Sequence, residues 1–223
     1  LRVPRATTEG RLGLDLRLRT QRPPVLHGAG GLSSKDARAE PHASWYVSLP
    51  RLETSGTLSV EGERFEVSGS TWLDHEFFSG GLAPGQVGWD WFSARLEDGR
   101  DLMLFRLRRA DGSTAFAAGT VTAADGRSSR ALDLRGATFE PAQRWTTAAG
   151  VTYPIAWRVR LPAEDLTLRT RTPLHGQEVE SGRGVGFGYW EGIVDYAGTW
   201  RGSAVRGEGY VEMTGYDRPV ELR

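Results

Sequence analysis

Apolar and polar positions alternate with period two through most of this chain. Leu12, Leu14, Leu16 and Leu18 alternate with Gly13, Asp15 and Arg17, as in a strand with one buried face. Residues 57–60 and 64–67 flank Glu61-Gly62-Glu63 and predict a short hairpin. Residues 87–95 and 102–109 flank Asp98-Gly99, and residues 115–122 and 130–134 flank Asp125-Gly126, two further hairpins with Asp-Gly turns. Ile155, Trp157, Val159 and Leu161 share one face of a strand, and residues 166–169, 189–196 and 207–215 alternate in the same way. No stretch sustains the 3.6-residue apolar period of a helix. Short strands at regular spacing, joined by tight turns, predict an all-β antiparallel sandwich or barrel.

Residues 19–44 break this rhythm with Pro23-Pro24, His27-Gly28-Ala29-Gly30-Gly31 and Pro41. A connection this long is functional or a linker. It sets a leading strand at residues 10–18 apart from the rest of the chain, and a lone strand must find partners elsewhere.

Composition supports the β reading: 29 glycines accompany 8 tryptophans, 6 tyrosines and 8 phenylalanines, a mixture suited to strands and tight turns. The 28 basic residues cancel 28 acidic ones, so no global field steers nucleic acid or an anionic membrane. Cysteine is absent, which excludes thiol catalysis, Cys-ligated zinc and disulfides. No apolar run approaches the roughly 20 residues of a membrane-spanning helix. Lys35 is the only lysine.

The densest polar cluster is Trp72-Leu73-Asp74-His75-Glu76-Phe77-Phe78. On a strand, Trp72, Asp74, Glu76 and Phe78 face one side and Leu73, His75 and Phe77 the other. Two carboxylates on an aromatic face suit general acid/base chemistry, because burial raises a carboxyl pKa toward neutrality. The same carboxylates would be structural if each paired with an arginine. In Gly88-Trp89-Asp90-Trp91-Phe92-Ser93, Trp89 and Trp91 form a flat apolar wall, suited to a ligand or to a core. In Phe187-Gly188-Tyr189-Trp190-Glu191-Gly192, Tyr189 and Glu191 share a face, Glu191 being a further candidate acid. Tyr210, Glu212 and Thr214 alternate as the outward face of a closing strand. The glycine-rich residues 79–86 lack phosphate-loop spacing. The four histidines, 27, 42, 75 and 175, form no ligand pair, so no metal site is expected.

Together, Pro24-Val25-Leu26-His27-Gly28, Gly69-Ser70-Thr71-Trp72-Leu73-Asp74-His75-Glu76, Gln86-Val87-Gly88-Trp89-Asp90-Trp91-Phe92 and the motifs at 187–192 and 207–216 resemble the AttH-like family, whose relatives include the carotenoid 1,2-hydratases. The resemblance implies two lipocalin-like antiparallel barrels in tandem with a ligand cleft near their junction. Residues 1–50 would be the end of the first barrel and the connecting loop, and residues 51–223 the second barrel. Residues 1–18 are then expected to pair with a first-barrel segment supplied in cis or by a second chain. The implied function is binding of an apolar small molecule, an isoprenoid, polyene or lipid, with hydrolase or hydratase chemistry and no cofactor. Asp74 and Glu76 would be acid and base, His75 an orienter or relay, and Trp72, Trp89, Trp91, Tyr189 and Glu191 the ligand-binding walls. The alternatives are a non-catalytic carrier and a pericyclase that works by pocket shape. The family's setting implies a periplasmic or secreted location.

Overall fold

The computed structural model describes residues 2–8, 12–37, 42–78, 80–180 and 186–221, which form antiparallel strands and one 3-10 turn in two sheets. Residues 10 and 11 of the expected first strand, 38–41 of the long connection and Ser79 lie outside the described residues. No helix among the described residues is long and apolar enough to cross a membrane.

Sheet one contains β1 (Arg2–Thr8), β2 (Leu12–Thr20), β3 (Val25–Leu26), β4 (Leu32–Ser34), β5 (Ala43–Val60) and β6 (Glu63–Phe77). The long strand β5 is its spine, since β2, β3, β4 and β6 all pair with it. The predicted hairpin closes at Glu61 and Gly62, whose φ angles of 50° and 90° suit a two-residue turn matching strand twist. Pairing then runs far beyond that hairpin, from Val60↔Glu63 to Trp45↔Phe77. The register shifts once, between Leu49 and Leu52. Pro50 sits inside this bulge, where its missing N–H costs no ladder bond.

Sheet two contains β7 (Gln86–Leu96), β8 (Asp101–Arg109), β9 (Thr114–Thr122), β10 (Ser129–Ala131), β11 (Thr138–Thr146), β12 (Thr152–Leu161), β13 (Leu166–Arg171), β14 (Glu178–Val179), β15 (Tyr189–Trp200) and β16 (Ser203–Thr214). Its order is β10-β9-β8-β7-β16-β15-β13-β12-β11, with β14 on β15. The sheet curls around a core that includes Phe92, Trp157, Trp190, Val211 and Met213. Burying side chains of this size contributes roughly 1.5–3 kcal/mol each. Asp90 also points inward, where Arg106 (2.7 Å), Arg108 (3.2 Å) and the Tyr216 hydroxyl (2.9 Å) surround its carboxylate. That carboxylate is consumed by structure.

The outer face of sheet two is covered as well. Every residue of β8 except Arg109 is buried: Leu102 and Leu104 enter the inner core, while Met103, Phe105 and Leu107 pack outward with Tyr46 of β5. The near-continuous apolar run of β8 is the sequence correlate of burial on both faces. An ion-pair clamp joins the sheets beside it. Arg51, displaced by the Pro50 bulge, and Arg22 reach the buried Asp101 at 2.8 and 3.0 Å.

Strand β5 runs unbroken through residue 50, and sheet two begins with β7 at Gln86. The leading strand needs no outside partner to pair, because β2 aligns with β5 from Leu12↔Val60 to Thr20↔Leu52. Strands β1 and β14 escaped the alternation pattern, as did β3 and β4 within the long connection and β11, whose register shifts twice around Gln143.

Candidate active site

A cavity of about 790 Å³ lies between β5–β6 of sheet one and the outer face of sheet two. Strand register builds the second wall: Glu191↔Glu212, Glu212↔Trp91 and Trp91↔Phe105 align four side chains in one row across β15, β16, β7 and β8. Trp89 and Tyr189 lie on the same faces of their strands, two residues away. From sheet one, Tyr46 on β5 and Trp72, Asp74 and Glu76 on β6 face them. Trp72 meets Trp91 edge-to-face at 6.2 Å and 79°, bridging the walls.

Asp74 accepts three hydrogen bonds: from the Tyr46 hydroxyl to Oδ2 at 2.5 Å, from Trp72 Nε1 to Oδ1 at 2.6 Å, and from the Ser48 hydroxyl to Oδ1. No arginine consumes it among the described residues. Burial pushes its carboxyl above the usual range, although the three donors pull the other way. The Tyr46 oxygen in turn accepts from Trp91 Nε1 at 2.7 Å, and burial and Asp74 hold its phenol well above the ordinary value.

Glu76 behaves differently. Lys35 Nζ and the Ser44 hydroxyl both reach its Oε1 at 2.5 Å. The ammonium also sits 4.2 Å from the Phe105 ring centroid, a cation–π contact. Burial lowers the Lys35 pKa while Glu76 raises it.

Glu212 receives the indole N–H of Trp89 at 3.0 Å. Its carboxyl is pushed up to about 7, first by burial and then by the neighbouring charge of Glu191. Burial raises Glu191 as well. Two carboxyls therefore stand on one wall, and two on the other. Among the described residues no group of three or more acidic or histidine side chains is arranged to hold a metal ion.

Of the residues singled out from sequence, Trp72, Asp74, Glu76, Trp89, Trp91, Tyr189 and Glu191 all line this cavity. His75 does not join them. It is exposed on the opposite face of β6, its ring 4.1 Å from that of Phe77, as strand alternation requires. Glu212 and Tyr210 keep the expected outward orientation but meet a cavity there, the outward face of sheet two being its wall. Tyr46 and Lys35 carried no motif, although a single lysine in an arginine-rich chain was a signal that a compact ammonium was needed.

A family model described as AttH-like matches residues 3–216. The dehydratase asqC of Emericella nidulans is 24% identical over 214 residues, which cover 89% of this chain and 57% of that protein. Among solved structures, one assigned to AttH from Nitrosomonas europaea superposes with a TM-score of 0.85 at 36% identity, covering 95% of this chain and 64% of that one. Kievitone hydratase of Nectria haematococca superposes with a TM-score of 0.78 at 19% identity over 96% of this chain and 64% of its own, a likeness of fold. The chain thus spans less than two thirds of the length of each of these relatives. With the motifs, the two curled sheets and a family model over nearly all of its length in agreement, the chain belongs to the AttH-like family.

Proposed function

We propose that the chain forms the catalytic cavity of a hydratase or dehydratase acting on an apolar, unsaturated small molecule. The observation that carries this reading is Asp74: a recessed carboxylate with three neutral donors and no arginine, facing a wall whose Glu212 carboxyl titrates near neutrality. Relatives named dehydratase and kievitone hydratase support the reaction class.

In the hydration direction, protonated Glu212 gives its proton to one carbon of an isolated double bond, whose π pair forms the new C–H bond. The adjacent carbon becomes cationic, and the faces of Trp72, Trp89 and Trp91 stabilise that charge. A water oxygen adds there and loses its proton to Asp74, so alkene and water become an alcohol. Glu212 is left ionised and Asp74 protonated, and exchange with solvent resets them. Dehydration is the reverse path through the same groups. The ion pair of Glu76 with Lys35 fixes the cavity's polar end.

The test is incubation in H₂¹⁸O with a panel of isoprenoids and polyenes carrying isolated trisubstituted double bonds, followed by mass spectrometry. Addition of labelled water is expected, and Asp74→Asn and Glu212→Gln should each abolish it. The Asp74→Asn melting temperature should stay within a few degrees, since ~1 kcal/mol shifts a domain of this size by about 2–4 °C. Binding of panel members without any gain or loss of water would instead make the protein a carrier.

A further inference from the structure

We propose that His27 is a positioning residue for Asp74: through Ser48 it aims a hydroxyl proton at the carboxylate and keeps that side chain in its proton-accepting form. The proposal extends the reading of Asp74 as the base.

His27 follows β3 and is 2% exposed. Its place is set by the backbone, with its N–H donating to the Tyr46 carbonyl at 3.1 Å and Gly28 turning at φ 73°. A Cβ at Gly28 would overlap the Leu32 carbonyl oxygen, so the turn requires glycine. The imidazole Nε2 lies 2.7 Å from Ser48 Oγ, and Nδ1 lies 2.9 Å from Thr120 Oγ1 on β9 of sheet two.

Proton counting gives this chain one direction. Asp74, when ionised, can only accept, so the single Ser48 hydroxyl proton is committed to it. Ser48 Oγ must then accept from His27, which places the imidazole proton on Nε2. The unprotonated Nδ1 accepts from the Thr120 hydroxyl. Burial, aided by the nearby Lys35 charge, pushes the His27 pKa down to about 3, so the ring stays neutral and holds this tautomer. The chain Thr120–His27–Ser48–Asp74 therefore crosses between the sheets and ends on the reacting carboxylate. The other titratable groups around it are Tyr46 on β5, Glu76 on β6, Lys35 between β4 and β5, Glu212 on β16, and Asp101 on β8, which borders the same small void as His27, Ser48 and Thr120 and is held by Arg51 and Arg22.

The experiment uses the full chain, with ¹⁵N-labelled histidine and ¹³C-carboxyl-labelled aspartate, followed by NMR across pH. His27 is expected as the Nε2–H tautomer, and His27→Phe is expected to raise the Asp74 midpoint by about one unit, the scale of one hydrogen bond to a charged group. Ser48→Ala should raise it equally, and His27→Gln, which keeps an N–H donor, should restore most of the wild-type value. If His27→Phe does not fold, Thr120→Val serves in its place: loss of the hydroxyl that fixes Nδ1 as acceptor should depopulate the Nε2–H tautomer. An Nδ1–H ring in the wild type, or an Asp74 midpoint unmoved in the folded His27 variant, would overturn the proposal. These titrations read positioning alone. Failure of the acid/base reading would show separately, as labelled-water addition surviving in Asp74→Asn.

Discussion

Single residues owe their chemistry to what faces them. Asp74 and Asp90 are both carboxylates within two residues of a tryptophan on the same strand, yet Asp90 meets two arginines inside sheet two and Asp74 meets neutral donors in the cavity. Glu212 illustrates the cost of such a position. Its folded pKa of about 7 stands above the ordinary 4.5, so between those values the folded state holds the proton more tightly than the unfolded chain. Its contribution to stability therefore falls as pH rises through that window. Glu212→Gln should change stability little at pH 4 and raise it by up to about 3 kcal/mol at pH 8, as measured by urea denaturation at the two pH values. A gain confined to the acid side would refute the assignment. The tryptophans give a second prediction. Trp89 meets Glu212 and Phe187, and Trp91 meets Tyr46 and Trp72, all at the cavity. Trp89→Ala or Trp91→Ala should weaken binding of an apolar fluorescent probe by ~1–3 kcal/mol; unchanged affinity in both would mean that the rings serve packing alone.

Elements place these residues through register. The row Glu191–Glu212–Trp91–Phe105 exists only while β16 stays in phase with both β15 and β7. A one-residue slip would turn every side chain to the opposite face. Gly209 protects that phase, since a Cβ there would overlap the Ser93 carbonyl oxygen across the β16–β7 seam. Gly209→Ala should destabilise the protein by about 1–3 kcal/mol and reduce probe binding. Gly69→Ala on β6, where no atom lies within 4 Å of the added Cβ, is the matched control and should be near neutral. Equal urea midpoints for the two variants would remove the seam from the argument.

At the scale of the whole molecule, sheet one has a face still open to solvent. Leu14↔Leu58 and Leu58↔Phe65 align one cross-strand row over β2, β5 and β6, with Leu14 40% and Phe65 47% exposed. Exposed apolar sheet faces recruit further chains. The isolated chain should then self-associate at micromolar concentration, and Leu14→Glu with Phe65→Glu should return it to a monomer by light scattering. A wild-type chain already monomeric under those conditions would argue that the face needs no cover.

The sequence alone determined the all-β class, the tight hairpins and the side of each strand on which Trp72, Asp74, Glu76, Trp89, Trp91, Tyr189 and Glu191 stand. Alternation is a local property, set by the geometry of one extended chain, and Glu61-Gly62 needs no distant partner to turn. Which face is inside is not local. Only the packing of sheet one on the outer side of sheet two turned Glu212 from an outward side chain into a cavity carboxyl, left His75 in solvent, and joined His27, Ser48 and Thr120 across a seam spanning 93 residues of sequence. Periodicity cannot distinguish a face that meets water from one that meets another sheet, because both begin on the same side of the same strand.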